Sequence, residues 1–196
     1  MRAKIQTAFN QTLKTISVYR ELNFTIPFGL KGNLGEFIVA EELMKRFPDS
    51  EVKFIGGAYP GVDIIIDGIK IQVKTQIKKD PKKFRGGEWD NESCPTVKKR
   101  IFEKIDFIIL VILYLNKNMD EVMKKNFYIF SKDEFKYFNP KFCWSGNKGD
   151  CTIVNVLYVN GKPPQKLGEK INFYNTDEYK KLFEQSRNNW NKIRAK

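Results

Sequence analysis

The stretch Val62-Asp63-Ile64-Ile65-Ile66-Asp67-Gly68-Ile69-Lys70-Ile71-Gln72-Val73-Lys74-Thr75 decides the fold. Two strand-like runs, Val62–Ile66 and Ile69–Thr75, flank Asp67-Gly68. That dipeptide suits a two-residue hairpin turn, which needs positive φ at both central positions. A two-residue turn pairs Ile66 with Ile69, Ile65 with Lys70, Ile64 with Ile71 and Asp63 with Gln72. Strand side chains alternate between faces. One face is then Val62, Ile64, Ile66, Ile69, Ile71 and Val73, wholly apolar. The other holds Asp63, Ile65, Lys70, Gln72 and Lys74. Asp63 is expected opposite Gln72, with Cβ atoms about 5 Å apart. Lys74 should follow about 7 Å along the same face.

A carboxylate, an amide oxygen and an ammonium therefore gather at one end of one sheet face. Such a set suits metal-assisted phosphodiester hydrolysis, with oxygens for the cation and a lysine for developing charge. An ordinary half-exposed hairpin with polar residues outward has the same pattern.

Upstream, a helix is expected over residues 32–47, ending before Pro48. Glu36, Ala40, Leu43 and Phe47 share one face of it, and Phe37, Ala40, Met44 and Phe47 mark the buried side. Glu36 lies on or beside that inward face, where an unpaired carboxylate is costly. A salt bridge or a favourable helix-dipole position accounts for it equally well.

Further out, Ile5, Phe9, Leu13 and Ile16 predict a helix over 3–22, with 23–31 as a connection. Val52–Ile55, Ile105–Leu115, Phe127–Ser131 and Thr152–Val159 are expected strands. A long polar loop is expected over 77–100, leading to a short helix near Val97–Lys104. Ser131 and Glu134 resemble a capping box. A C-terminal helix is expected over Thr176–Ile193.

The chain contains no histidine. That excludes Ser-His-Asp and Cys-His catalysis and makes a zinc site improbable. Chemistry must run on carboxylates, lysine, tyrosine or backbone oxygen, and oxygen-rich sites select hard cations such as Mg²⁺. The three cysteines form no CxxC pair, and no apolar run reaches the roughly 20 residues of a membrane span. A cytoplasmic, non-membrane protein is expected. The formal net charge of +12 suggests a polyanionic partner, although a lysine-rich solvated surface gives the same figure.

Together, Gly32-Asn33-Leu34-Gly35-Glu36, Gly61-Val62-Asp63-Ile64 and Ile71-Gln72-Val73-Lys74 resemble the signature of the PD-(D/E)XK, restriction-endonuclease-like nuclease superfamily. The Gln-x-Lys form is similar to the branch that includes Mrr-like restriction enzymes. Archaeal Holliday junction resolvases carry a related arrangement. The resemblance covers residues 32–76 clearly and 105–135 loosely. It implies an α/β fold with an αβββαβ core, a mixed central sheet flanked by helices, and one nuclease domain over 1–196. The catalytic core would span about 32–135, preceded by the helix 3–22 and followed by a strand and helix in 151–196. It further implies Glu36, Asp63, Gln72 and Lys74 as catalytic residues. Asp63, Gln72, the Val73 carbonyl and Glu36 would hold Mg²⁺ or Mn²⁺. Two departures stand out: Val62 precedes Asp63, with Pro60 three residues back, and Gln72 replaces the commoner glutamate.

Lys78, Lys79, Lys82, Lys83, Arg85, Lys98, Lys99 and Arg100 follow Lys74 and are candidate contacts to a DNA backbone, or a solvated charge run. Trp89 and Trp144 are candidate stacking residues or satellite-core anchors. Arg187, Lys192, Arg194 and Lys196 are candidate phosphate contacts or plain solvation. The expected function is a restriction-type endonuclease acting on double-stranded DNA; the sequence leaves open a Holliday junction resolvase, an RNA-processing nuclease, or an inactive nucleic-acid-binding protein of the same fold. A homodimer is expected, because cutting two strands takes two sites.

Overall fold

The computed structural model describes residues 1–55, 61–79, 96–98, 104–137, 151–153, 181 and 184–193. The chain opens with two helices, α1 (Arg2–Glu21) and α2 (Phe28–Arg46), followed by β1 (Val52–Phe54), β2 (Ile64–Ile66) and β3 (Ile69–Lys79). Then come β4 (Thr96–Lys98), β5 (Phe107–Leu115), β6 (Val122–Ser131) and β7 (Cys151–Ile153). Five strands form a mixed sheet in the order β1-β2-β3-β5-β6, while β4 and β7 pair separately. The result is a mixed α/β fold built on a sheet flanked by helices.

The hairpin turn forms as its chemistry requires, with Asp67 at φ 47° and Gly68 at φ 85°. The expected register holds over Ile66–Ile69, Ile65–Lys70 and Ile64–Ile71. It stops one step short of Asp63–Gln72. The Asp63 NH donates to the Ile71 carbonyl at 2.9 Å, although Ile64 already faces Ile71. Two residues thus oppose one, as in a β-bulge, and β2 turns away from β3 at the aspartate.

Beyond that point β3 continues to Lys79, because β5 pairs with it in parallel from Ile71–Phe107 to Lys79–Leu115. Lys78 therefore lies in a strand and is buried, rather than in the polar loop expected over 77–100. The β5 residues Phe107–Leu115 are apolar almost throughout and buried on both faces, as suits a central strand. β6 pairs with β5 in antiparallel fashion and begins five residues before the expected Phe127.

Helix α2 lies across β1, β2, β3 and β5, and α1 packs on α2. Ile5, Leu13 and Ile16 of α1 meet Leu34, Ile38, Val39, Ala40 and Leu43 of α2 over Ile64, Ile71, Val73, Ile109 and Val111. The apolar hairpin face is this core. α2 starts at Phe28 rather than Gly32: Pro27 is its N-cap, and proline tolerates the mouth of a helix because its missing NH would find no partner there.

Two expectations fail by tertiary pairing. Thr96–Lys98 is a strand, not the start of a helix, since it pairs with Cys151–Ile153. The C-terminal helix does not run through to Ile193. It gives way at Arg187, which bridges to Tyr128, and Asn188 takes φ 52°. The Asn188 NH donates to the Phe127 carbonyl at 2.8 Å, and its side-chain oxygen accepts from the Phe127 NH at 3.1 Å. The segment then ends in a 3-10 turn, Trp190–Lys192, with Trp190 against Phe127. Ser131 and Glu134 form the expected cap, the Glu134 carboxylate accepting from the Ser131 NH at 2.8 Å, but it opens a 3-10 helix. Among the described residues no helix is long and apolar enough to cross a membrane.

Candidate active site

The divergence of β2 from β3 leaves a cavity of about 380 Å³ lined by Lys31, Gly32, Glu36, Asp63, Val73, Lys74, Thr75, Gln76 and Ile77. Three separate segments build it. α2 contributes Glu36, the bulge contributes Asp63, and β3 contributes Lys74. The helix comes close because residue 35 is glycine: a Cβ there would lie 1.8 Å from Thr75 Oγ1 and 2.8 Å from Thr75 Cβ. That contact places Glu36, the next residue, beside the strand that carries Lys74.

Asp63 is held by a hydrogen bond. The Val73 NH donates to Asp63 Oδ2 at 2.7 Å, so the side chain takes up a ladder donor that β2 abandons when it bulges. Electrostatically the three groups are coupled. Burial, then the neighbouring Asp63 charge, push the Glu36 carboxyl up to about 7, with Lys74 opposing. Burial also raises Asp63, against the Val73 hydrogen bond and Lys74. Burial lowers Lys74, against the two carboxylates. Desolvation dominates in all three cases, so each group is charged at a cost its neighbours only partly offset.

Two carboxylates and one ammonium leave this trio one negative charge in excess. A divalent cation would reverse that sign, and a phosphodiester would then bring it to neutrality. Among the described residues no three His, Cys, Asp or Glu side chains gather as a metal cluster. The further oxygen donors nearby are the Gln72 amide oxygen, the Val73 carbonyl and, on the cavity wall itself, the Thr75 hydroxyl and the Gln76 amide oxygen. Gln72 Oε1 is buried without a hydrogen-bond partner, and the residue is only 3% exposed. It shares a β3 face with Lys74 but does not itself line the cavity. Two desolvated carboxylates and buried oxygen donors, with no histidine or cysteine among the described lining residues, fit a hard, oxygen-seeking dication such as Mg²⁺.

The fold thus brings Glu36, Asp63, Val73 and Lys74 to one cavity and leaves Gln72 out of its lining. Lys31, Gly32, Thr75 and Gln76 line the same space and carry no role in the sequence reading. One signal for Gly32 is present in the sequence, since it precedes Glu36 by one helical turn. Of the candidate DNA contacts, Lys78 is buried on β3, Lys79 ends that strand and Lys98 lies in β4. Lys82, Lys83, Arg85, Lys99 and Arg100 lie outside the described residues, as do Trp89, Trp144, Arg194 and Lys196. Lys192 is neither a free phosphate contact nor plainly solvated: its ammonium pairs with Glu134 and donates to Ser186 Oγ at 2.9 Å. Arg187 is exposed beside the bridge to Tyr128.

No family model matches the chain, and no curated protein matches it. Among solved structures, the chain is similar to a bacterial homing endonuclease, I-Ssp6803I, at 15% identity and a TM-score of 0.40, over 86% of this chain and 93% of that one.

Proposed function

We propose that this protein is a divalent-metal-dependent DNA endonuclease of the PD-(D/E)XK type, restriction-like, working as a homodimer on double-stranded DNA. The observation that supports this most is the convergence of Glu36, Asp63 and Lys74 from three chain segments on one cavity, each with its protonation altered first by burial and then by charged neighbours within the trio. Perturbed, mutually coupled groups in a cleft are the mark of a working site.

In this reading Asp63, Glu36 and the Val73 carbonyl hold Mg²⁺ or Mn²⁺, with Gln72 as a further oxygen donor. When bound, the ion supplies Lewis-acid polarisation of a phosphodiester and favours ionisation of water. Asp63 is kept in place by the Val73 NH, so its free oxygen faces the cavity without rearrangement. Lys74, already partly desolvated, offers its proton-bearing nitrogen to the attacking water or to the charge that builds on the phosphate. The overall basic charge favours a polyanionic substrate.

The test is to incubate the purified protein with supercoiled plasmid, and separately with a four-way junction, in Mg²⁺ or Mn²⁺ beside Asp63→Ala and Lys74→Ala. Cleavage that needs the metal and both side chains is the expected result. Discrete plasmid fragments support the restriction-like form, and preferred junction cutting a resolvase. DNA binding without cleavage by all three proteins supports a non-catalytic binding protein.

A further inference from the structure

Helix α2 carries three glycines in its first eight residues, Gly29, Gly32 and Gly35, although glycine is the costliest residue after proline in a helix interior. Packing explains Gly35, where a Cβ would collide with Thr75. It does not explain Gly29, where a Cβ would meet nothing within 4 Å, or Gly32. Among the described residues, a Cβ there would meet one atom, Glu36 Oε1, at 3.9 Å, an ordinary contact. An alanine fits, yet the position is glycine, and it is the one α2 glycine among the residues that line the cavity. Close approach of a ligand to the backbone is one use of such a glycine, and of the two that packing leaves unexplained only Gly32 lines the cavity.

Resting on the endonuclease reading, we infer that Gly32 is the point where the substrate's sugar-phosphate backbone touches α2, the missing side chain keeping open the path to Glu36 and Asp63. Lys31, the preceding residue, lines the same cavity and brings a cation to that wall. Any side chain at residue 32 starts 3.9 Å from Glu36 Oε1, so a methyl already takes up part of the space that a phosphate needs beside that carboxylate, and a longer side chain takes more. Gly32 is thus a contact residue for the substrate and takes no part in bond making.

The test compares wild type, Gly32→Ala and Gly32→Leu for thermal stability, plasmid cleavage, and affinity for a short labelled DNA duplex in Ca²⁺. Stability and function should move in opposite directions. Alanine should raise Tm, as replacing a helical glycine does where the methyl fits. DNA affinity and cleavage should fall from glycine to alanine to leucine, the leucine variant losing at least about tenfold in affinity. Ca²⁺ should still raise the Tm of both variants, because the carboxylates are untouched. If wild type cuts or binds DNA and Gly32→Leu does so equally well, the inference is overturned while the endonuclease reading stands. A leucine variant that has lost its Ca²⁺ response overturns it as well, since the side chain would then be blocking the ion and not the DNA. Should that variant fail to fold, Gly32→Ala decides, and affinity equal to wild type overturns the inference. A wild-type protein that neither cuts nor binds DNA removes both readings together.

Discussion

A methyl group on Gly35 of α2 would lie 1.8 Å from the hydroxyl oxygen of Thr75 on β3, far inside any allowed contact. The helix and the strand touch backbone to side chain, and the site is assembled across that contact. Gly35→Ala should therefore destabilise the fold by about 1–3 kcal/mol, the usual cost of overpacking, although alanine is the better helix former. Thr75→Gly should recover part of the loss in the Gly35→Ala background, because both the hydroxyl and the Cβ at 2.8 Å are then gone. Denaturant unfolding of the two single variants and the double variant measures the coupling. A Gly35→Ala protein as stable as wild type would show that α2 stands further from β3.

Glu42 ties the other end of α2 to the sheet edge. Its side chain is 10% exposed, with Lys125 Nζ at 2.7 Å and Arg46 Nε at 3.3 Å. Burial alone would raise its pKa, but the hydrogen bonds and charges of Lys125 and Arg46 bring it below the ordinary value. Truncation should expose how far the pair is shielded. We expect Glu42→Ala to cost about 1–3 kcal/mol, between an exposed and a fully buried ion pair. High salt should reduce that cost only slightly if the pair is shielded. A loss that vanishes in high salt would mark it as a surface pair.

Of the three glutamates of α2, Glu42 and Glu36 respond oppositely to pH. Glu42 has a depressed pKa, so its contribution is present above the unfolded value near 4.5 and is lost as pH falls below it. Glu36 has a raised pKa, so the folded state binds its proton more tightly than the unfolded state does. Its effect is to weaken the metal-free protein as pH climbs from 4.5 to about 7. A divalent ion held there would compete with that proton. The rise in Tm on adding Mg²⁺ or Mn²⁺ should be small at pH 5.5 and grow towards pH 8, and Glu36→Gln should flatten this dependence. A metal response independent of pH across this range would separate Glu36 from the ion.

Asp63 allows charge and geometry to be separated. Asp63→Asn keeps an oxygen for the Val73 NH and removes a desolvated charge, so the metal-free variant should match or exceed wild-type stability while losing its response to divalent ions. Asp63→Ala leaves the Val73 NH without its partner and should cost about 1–3 kcal/mol. Thermal melts with and without Mn²⁺ distinguish the two. Equal destabilisation in both variants would mean that the charge itself holds the bulge.

The hairpin was legible because local chemistry alone specifies it: an Asp-Gly turn with both φ values positive and a strict two-residue alternation fix the register. The bulge at Asp63 was not, since it depends on where β2 leaves β3 and no residue type announces it. Lys78 looked like loop because its neighbours are polar, yet pairing with Tyr114 of β5 extends the strand through it. Thr96–Lys98 joins a partner about fifty residues away, beyond any local pattern. The break at Asn188 has no glycine or proline beside it and arises from the hydrogen bonds to Phe127. At the site, Glu36, Asp63 and Lys74 could be named from spacing. Lys31 could not be placed, because the expected helix began one residue after it, and Gly32 opened that helix on the face of Glu36 with no side chain to announce a role.

On the proposed function, the cavity between α2 and the β2–β3 divergence holds a divalent cation. Titration of the metal-free protein with Mn²⁺, followed by the loss of the free-ion paramagnetic resonance signal, tests it most directly. Wild type should remove Mn²⁺ from solution at pH 8, and Asp63→Asn, folded to the same degree, should remove much less. Equal uptake by the two proteins, or none by wild type, would contradict the account.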